Sequence, residues 1–69
     1  MKTITLREDY IKLGQALKAA GLVDTGSEAK EVIQQGEVKV NGEVSVQRGK
    51  KLTDGDLVEW KGQEIKITK

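Results

Sequence analysis

The rhythm of apolar and polar positions changes along this chain, and each change marks an element. Thr3-Ile4-Thr5-Leu6 alternates polar with apolar and is rich in β-branched side chains, which predicts a short strand at a sheet edge. Leu13, Ala16, Leu17 and Ala20 then recur at i, i+3, i+4 and i+7, the single apolar stripe of a helix capped by Asp9 and stopped by Gly21. Gly14 lies inside that helix, where Gly costs roughly 1 kcal/mol relative to Ala. Either the backbone approaches a neighbour or ligand closely there, or the glycine is simply tolerated. Thr25-Gly26-Ser27-Glu28 has the form of a capping box, with the Thr25 hydroxyl on the Glu28 amide and the Glu28 carboxylate returning to the Thr25 amide. It opens a second helix whose apolar face is Ala29, Val32 and Ile33 and whose end is Gly36.

From Val38 the period becomes 2, because Val38, Val40, Val44 and Val46 take alternate positions around Asn41-Gly42. Asn-Gly accepts the two positive φ angles of a type I′ turn, so a hairpin is expected there. Asp54-Gly55-Asp56 marks a further turn, followed by strands from Leu57 to Lys61 and from Glu64 to Thr68 across a Gly62-Gln63 bend. The element order predicts an α+β fold: a two-helix hairpin packed on a small antiparallel β-sheet, one domain over residues 1–69. Trp60 falls in a strand-like run and is assigned to the core. It and Tyr10 are the only aromatics, which argues against an aromatic sheet platform for bases, although either ring could stack on one.

Composition narrows the chemistry. With no Cys and no His, the chain lacks thiolate and imidazole metal ligands and the commonest catalytic base. Ser27, Ser45 and the five threonines have no evident activating partner, so no enzyme activity, cofactor or small-molecule substrate is expected. Asp54 and Asp56 read as a turn rather than a metal site. No apolar run exceeds two residues, which predicts neither a membrane span nor a signal peptide and makes the cytoplasm the default location. The formal charge is only +1, but its distribution is uneven. The first 35 residues balance five basic against five acidic side chains, while Gln47-Arg48-Gly49-Lys50-Lys51 carries three positive charges and no negative one. Glu8 and Lys12 have the i, i+4 spacing of an ion pair, an ordinary explanation for a lysine on a helix.

Thr25-Gly26-Ser27-Glu28-Ala29-Lys30, then Val32-Ile33, Gly36, Val38-Lys39-Val40-Asn41-Gly42 and Gly55-Asp56, resemble the RNA-binding domain named after ribosomal small-subunit protein S-four. The likeness covers roughly Lys12 to Val58 and is greatest to the small stand-alone YaaA-like bacterial proteins. The resemblance implies the αL fold and binding of structured RNA, ribosomal RNA or tRNA; a monomer, with the ribosome as a further partner, is the accompanying expectation. Lys12 takes the place of the Arg that opens the family's first helix, Lys30 matches a basic position of the second, and Lys39 and Asn41 belong to the hairpin string. Gly14 and Gly26 depart from the family's usual Asp and Arg. Arg48, Lys50 and Lys51 are therefore expected to supply the missing positive charge, giving Lys12, Lys30, Lys39, Asn41, Arg48, Lys50 and Lys51 as candidate RNA contacts. Two other readings remain at this stage. One is a DNA-binding helix-turn-helix, which the carboxylates of the second helix disfavour; the other is a protein-interaction module that docks through a strand edge at Thr3 to Leu6 or Glu64 to Thr68.

Overall fold

The computed structural model describes residues 2–69. In chain order the elements are β1 (Lys2–Thr5), β2 (Ile11–Lys12), α1 (Leu13–Ala19), α2 (Gly26–Gln34), β3 (Val38–Val40), β4 (Glu43–Val44), β5 (Lys51–Leu52), β6 (Leu57–Trp60) and β7 (Gln63–Thr68). Five strands form a sheet in the order β1-β7-β6-β3-β4, and β2 pairs with β5 in a separate two-stranded ribbon. The helix pair covers one face of the sheet. Between the layers lies one core in which Leu13, Leu17, Ile33, Val38, Val58, Ile65 and Ile67 are all fully buried. Each such side chain contributes about 1.5–3 kcal/mol of transfer free energy. Trp60 joins this core, 8% exposed, and its indole Nε1 donates to Glu37 Oε1 at 3.3 Å.

Both helix ends follow from local sequence. At the end of α1, Gly21 has φ +76°, its amide donates to the Lys18 carbonyl, and the Leu22 amide donates to the Leu17 carbonyl. Gly36 ends α2 with the same paired bonds, from its own amide to Ile33 and from the Glu37 amide to Val32. The left-handed residue at C′ lets the last carbonyls find donors. The start of α2 has the expected cap, with the Glu28 amide donating to Thr25 Oγ1 at 3.1 Å. The Glu28 carboxylate, however, accepts from the Asp24 amide at 3.0 Å rather than from Thr25.

The start of α1 differs from expectation. The helix opens at Leu13 behind Lys12, not behind Asp9, because Ile11 and Lys12 are drawn into the β2–β5 ribbon opposite Leu52 and Lys51. The first helical amides find main-chain partners instead of a capping side chain: Leu13 donates to the Lys50 carbonyl at 2.9 Å and Gly14 to the Arg48 carbonyl at 3.1 Å. Glu8 therefore lies outside the helix, and no Glu8–Lys12 ion pair forms.

The sheet is mixed. β3, β6 and β7 are antiparallel neighbours, but β1 runs parallel to β7 with Ile4 beside Ile67. β1 is an edge as expected, whereas Glu64 to Thr68 lies inside the sheet between β1 and β6, so the free edges are β1 and β4. The turn between β6 and β7 is centred on Lys61-Gly62, with φ +48° and +76°, one residue earlier than the bend expected at Gly62-Gln63. A two-residue turn at Asn41-Gly42 pairs Val40 with Glu43 and Lys39 with Val44, so the inward positions switch from even to odd numbers. Val44 and Val46 consequently stand 55% and 56% exposed instead of continuing the buried face of Val38 and Val40.

Asn41 fastens this hairpin to the turn before β6. It adopts φ +53°; its Nδ2 donates to Asp56 Oδ1 at 3.0 Å and its Oδ1 accepts from the Leu57 amide at 2.9 Å. Asp56 Oδ2 also accepts from the Thr53 amide at 2.8 Å. Partial burial works against the Asp56 carboxylate, but the bonds from Asn41 and Thr53 and the charge of Lys50 outweigh it and hold its pKa below the ordinary 3.8. Replacing Asn41 by Ala should cost about 1–2 kcal/mol in urea unfolding, from lost side-chain hydrogen bonds and left-handed strain. Asn41→Gly relieves only the strain and should fall between Asn41→Ala and wild type. Because the folded pKa of Asp56 is depressed, its stabilising contribution is present above the ordinary value and lost as pH falls through the folded one. The gap in melting temperature between wild type and Asp56→Ala should therefore be larger at neutral pH than below about pH 3, as read by thermal unfolding in matched buffers.

Candidate nucleic-acid interface

The two hydrogen bonds that satisfy the start of α1 also place a basic loop. They clamp residues 48–50 across the first helical turn, and the β2–β5 ladder continues the contact into Lys51 and Leu52. Positive side chains far apart in the chain thereby become neighbours. Ile11 and Leu52 turn inward from the ribbon, while Lys12 and Lys51 sit directly opposite each other and are both exposed. Like charges in this cross-strand position repel. Among the described residues the one salt bridge joins Lys69 Nζ to Asp9 at 3.3 Å, so no carboxylate is paired with either lysine.

Beside the ribbon is an open depression of about 380 Å³ lined by Lys12, Gly14, Gln15, Lys18, Gly26, Arg48 and Gly49. It brings together three cationic side chains and no carboxylate. Gly14 explains how Arg48 fits: a Cβ at that position would lie 2.7 Å from Arg48 Cγ and 3.4 Å from Cδ. The helix glycine is therefore the site of a close approach, and the neighbour is the aliphatic stem of Arg48. Gly26 lines the depression from α2, and Lys30, four residues on, projects from the same side of that helix one turn further along. Lys18 also lines the depression, although its place on α1 alone did not single it out. Its i+4 spacing from Gly14 is the signal, once Gly14 is known to border the loop.

The remaining candidates lie elsewhere. Lys50 lines a separate hollow beside β4 with Asn41, Val44 and Val46, and its charge acts on Asp56. The Asn41 side chain is engaged within the fold through both its oxygen and its nitrogen. Lys39 is exposed on β3 opposite Glu59, on the sheet face away from the helices, because Val38 and Val40 take the inward positions. Tyr10 is 37% exposed with Lys51 Nζ 4.8 Å from its ring centroid, a cation–π contact at the end of the ribbon. Among the described residues no acidic cluster could hold a metal ion, and no helix is long and apolar enough to cross a membrane.

This architecture, an αL-type helix pair on a mixed sheet with a basic loop pinned to the first helix, is that of a known domain class: the S4 domain family model matches residues 4–68. The chain belongs to the S4-domain family. It is 42% identical over 59 residues to the "Probable ribosome maturation protein RlbA" of Bacillus subtilis, covering 86% of this chain and 83% of that protein. YbcJ of Escherichia coli is 31% identical over 68 residues, 97% of each chain. The solution structure of YbcJ superposes with a TM-score of 0.77 at 30% identity, covering 100% of this chain and 89% of that one, and is described as revealing an αL motif involved in RNA-binding. A tyrosine–tRNA ligase of Pseudoalteromonas translucida is 43% identical over 60 residues, but these are only 14% of its length.

Gly14→Ala tests the close approach directly. The substitution should lower stability by about 1 kcal/mol, because the 2.7 Å approach is to Arg48 Cγ, close to the clamped loop backbone, and the overpacking outweighs the gain in helix propensity. In ¹H–¹⁵N spectra the Arg48 side-chain Nε and the amides of Arg48 and Gly49 should shift while those of β6 and β7 stay in place. Unchanged Arg48 resonances would contradict the packing.

Proposed function

We propose that this chain is a non-catalytic module that holds structured RNA, of the ribosomal RNA or tRNA class, against the face formed by α1, the N-terminal turn of α2 and the Arg48–Lys51 loop. The observation that carries the reading is the depression bordered by Lys12, Lys18 and Arg48 with no carboxylate in its lining. Three cations left unpaired at one concave place repel one another, and a phosphate backbone relieves that repulsion. Lys51, opposite Lys12, and Lys30, one turn beyond Gly26, extend the positive face on either side. Lys50 stands at its margin. Lys39 and Asn41 fall outside the contact set on this reading, the first because of its sheet face and the second because its amide is already bonded. The described RNA-binding motif of YbcJ and the ribosome-maturation name of RlbA support RNA as partner and the ribosome as setting. On this reading the module acts as a monomer in the cytoplasm, its candidate contacts all lying within one chain.

Contacts of this kind recognise shape and phosphate spacing, because side chains cannot readily reach the bases in the deep major groove of an RNA helix. About four or five phosphate contacts imply that log affinity falls against log salt with a slope of about 3 to 4.5. Lys12→Gln or Arg48→Gln should each lower that slope by about one, whereas Lys39→Gln should leave it unchanged, as measured by fluorescence anisotropy with a labelled RNA hairpin. A slope near zero, or equal losses from Lys39→Gln and Arg48→Gln, would contradict the assignment. Charge reversal at Lys12, Arg48 and Lys51 together should abolish RNA binding but would leave docking of a protein at the β1 edge intact.

A further inference from the structure

Phosphate contacts do not account for Tyr10. The chain has two aromatic side chains, and while Trp60 is in the core, Tyr10 stands exposed at the end of the β2–β5 ribbon. Next to it is a cleft of about 490 Å³, within the range of ligand pockets. Ile4, Ile11 and Ala19 give this cleft apolar lining, the Tyr10 ring borders it, and Arg7, Glu8 and Gln15 supply hydrogen-bonding groups. A nucleobase needs this combination: a π-surface to stack on, apolar surroundings, and both donors and acceptors for its edge. Lys51 lies over the Tyr10 ring but does not line the cleft.

The cleft adjoins the proposed phosphate-binding face at one shared residue. Gln15 lines both the cleft and the depression bordered by Lys12 and Arg48, and Lys12 and Lys51 sit side by side on the adjacent ribbon. From these neighbours we infer that the cleft takes one unpaired nucleobase, stacked on Tyr10, while Lys12 and Lys51 hold the phosphates that flank it. This rests on the RNA-binding reading above and narrows it: the preferred target is a helix interrupted by a bulged or flipped-out base rather than an uninterrupted duplex. Lys51, placed by the ribbon with its Nζ 4.8 Å from the ring centroid, stands beside the position a stacked nucleotide would take.

The test compares two RNA hairpins that differ only by one bulged adenosine, replaced by 2-aminopurine for fluorescence. Wild type should bind the bulged hairpin about five- to a hundred-fold more tightly, the range that base–aromatic stacking supplies, and should quench the 2-aminopurine. Tyr10→Leu should lose that preference and the quenching while keeping its affinity for the uninterrupted hairpin. Tyr10→Phe, which keeps the ring, should retain both. Tyr10 lies outside the core cluster, so Tyr10→Leu should stay folded, and a melting curve checks this. Equal binding of both hairpins by wild type, or an equal loss on both in Tyr10→Leu, overturns the base site while leaving the phosphate face standing. Binding of neither hairpin overturns both.

Discussion

Two main-chain hydrogen bonds, from Leu13 to the Lys50 carbonyl and from Gly14 to the Arg48 carbonyl, do more to organise this surface than any charged contact. Each contributes about 0.5–1.5 kcal/mol net, and the inward pair Ile11 and Leu52 adds apolar burial beneath them. Their larger effect is geometric. The amides at the start of a helix need partners, and here the partners are carbonyls of the basic loop, so helix initiation and loop placement are one event. Arg48 then lies across Gly14, and Lys51 comes to rest opposite Lys12.

This arrangement collects positive charge without raising the net charge of the chain. Five of the eleven acidic side chains are engaged away from the depression: Glu28 on the Asp24 amide, Asp56 on Asn41 and Thr53, Asp9 on Lys69, Asp54 on the Lys69 amide and Glu37 on Trp60. A chain with 12 basic and 11 acidic side chains can thus present one face with no carboxylate in its central depression. Where other members of the family were expected to carry Arg behind the helix cap, Gly26 leaves open space, and Arg48 reaches the same depression from the loop.

Much of the fold was readable from neighbouring residues. Thr25 as cap, Gly21 and Gly36 as helix ends and Asn41-Gly42 as a turn depend only on local backbone geometry, and each stands where the sequence placed it. Long-range pairing was not readable. Asp9 looked like a helix cap because its rival, a two-residue ribbon with Lys51 and Leu52, leaves no mark on residues 9–12 alone. The parallel pairing of β1 with β7 joins the two ends of the chain and has no local signature. Val44 and Val46 were misplaced because a two-residue turn switches which parity faces the core. For the site, residue types could be read and their spatial grouping could not: Arg48 and Lys12 line one depression with Lys51 opposite Lys12, Lys18 joins them through Gly14, Lys39 lies on the opposite sheet face, and the Asn41 side chain is bonded within the fold.

The central claim is that one face, defined by the clamp between α1 and the basic loop, meets the phosphate backbone. The most direct measurement is lysine footprinting: amine-reactive acetylation with and without a saturating RNA hairpin at about 50 mM salt, where phosphate contacts are strong, read by mass spectrometry. Protection should concentrate on Lys12, Lys18 and Lys51, with Lys39 and Lys66 on the far sheet face modified equally in both states. Protection of Lys39 and Lys66 in place of Lys12 and Lys51, or uniform protection of every lysine, would contradict the account.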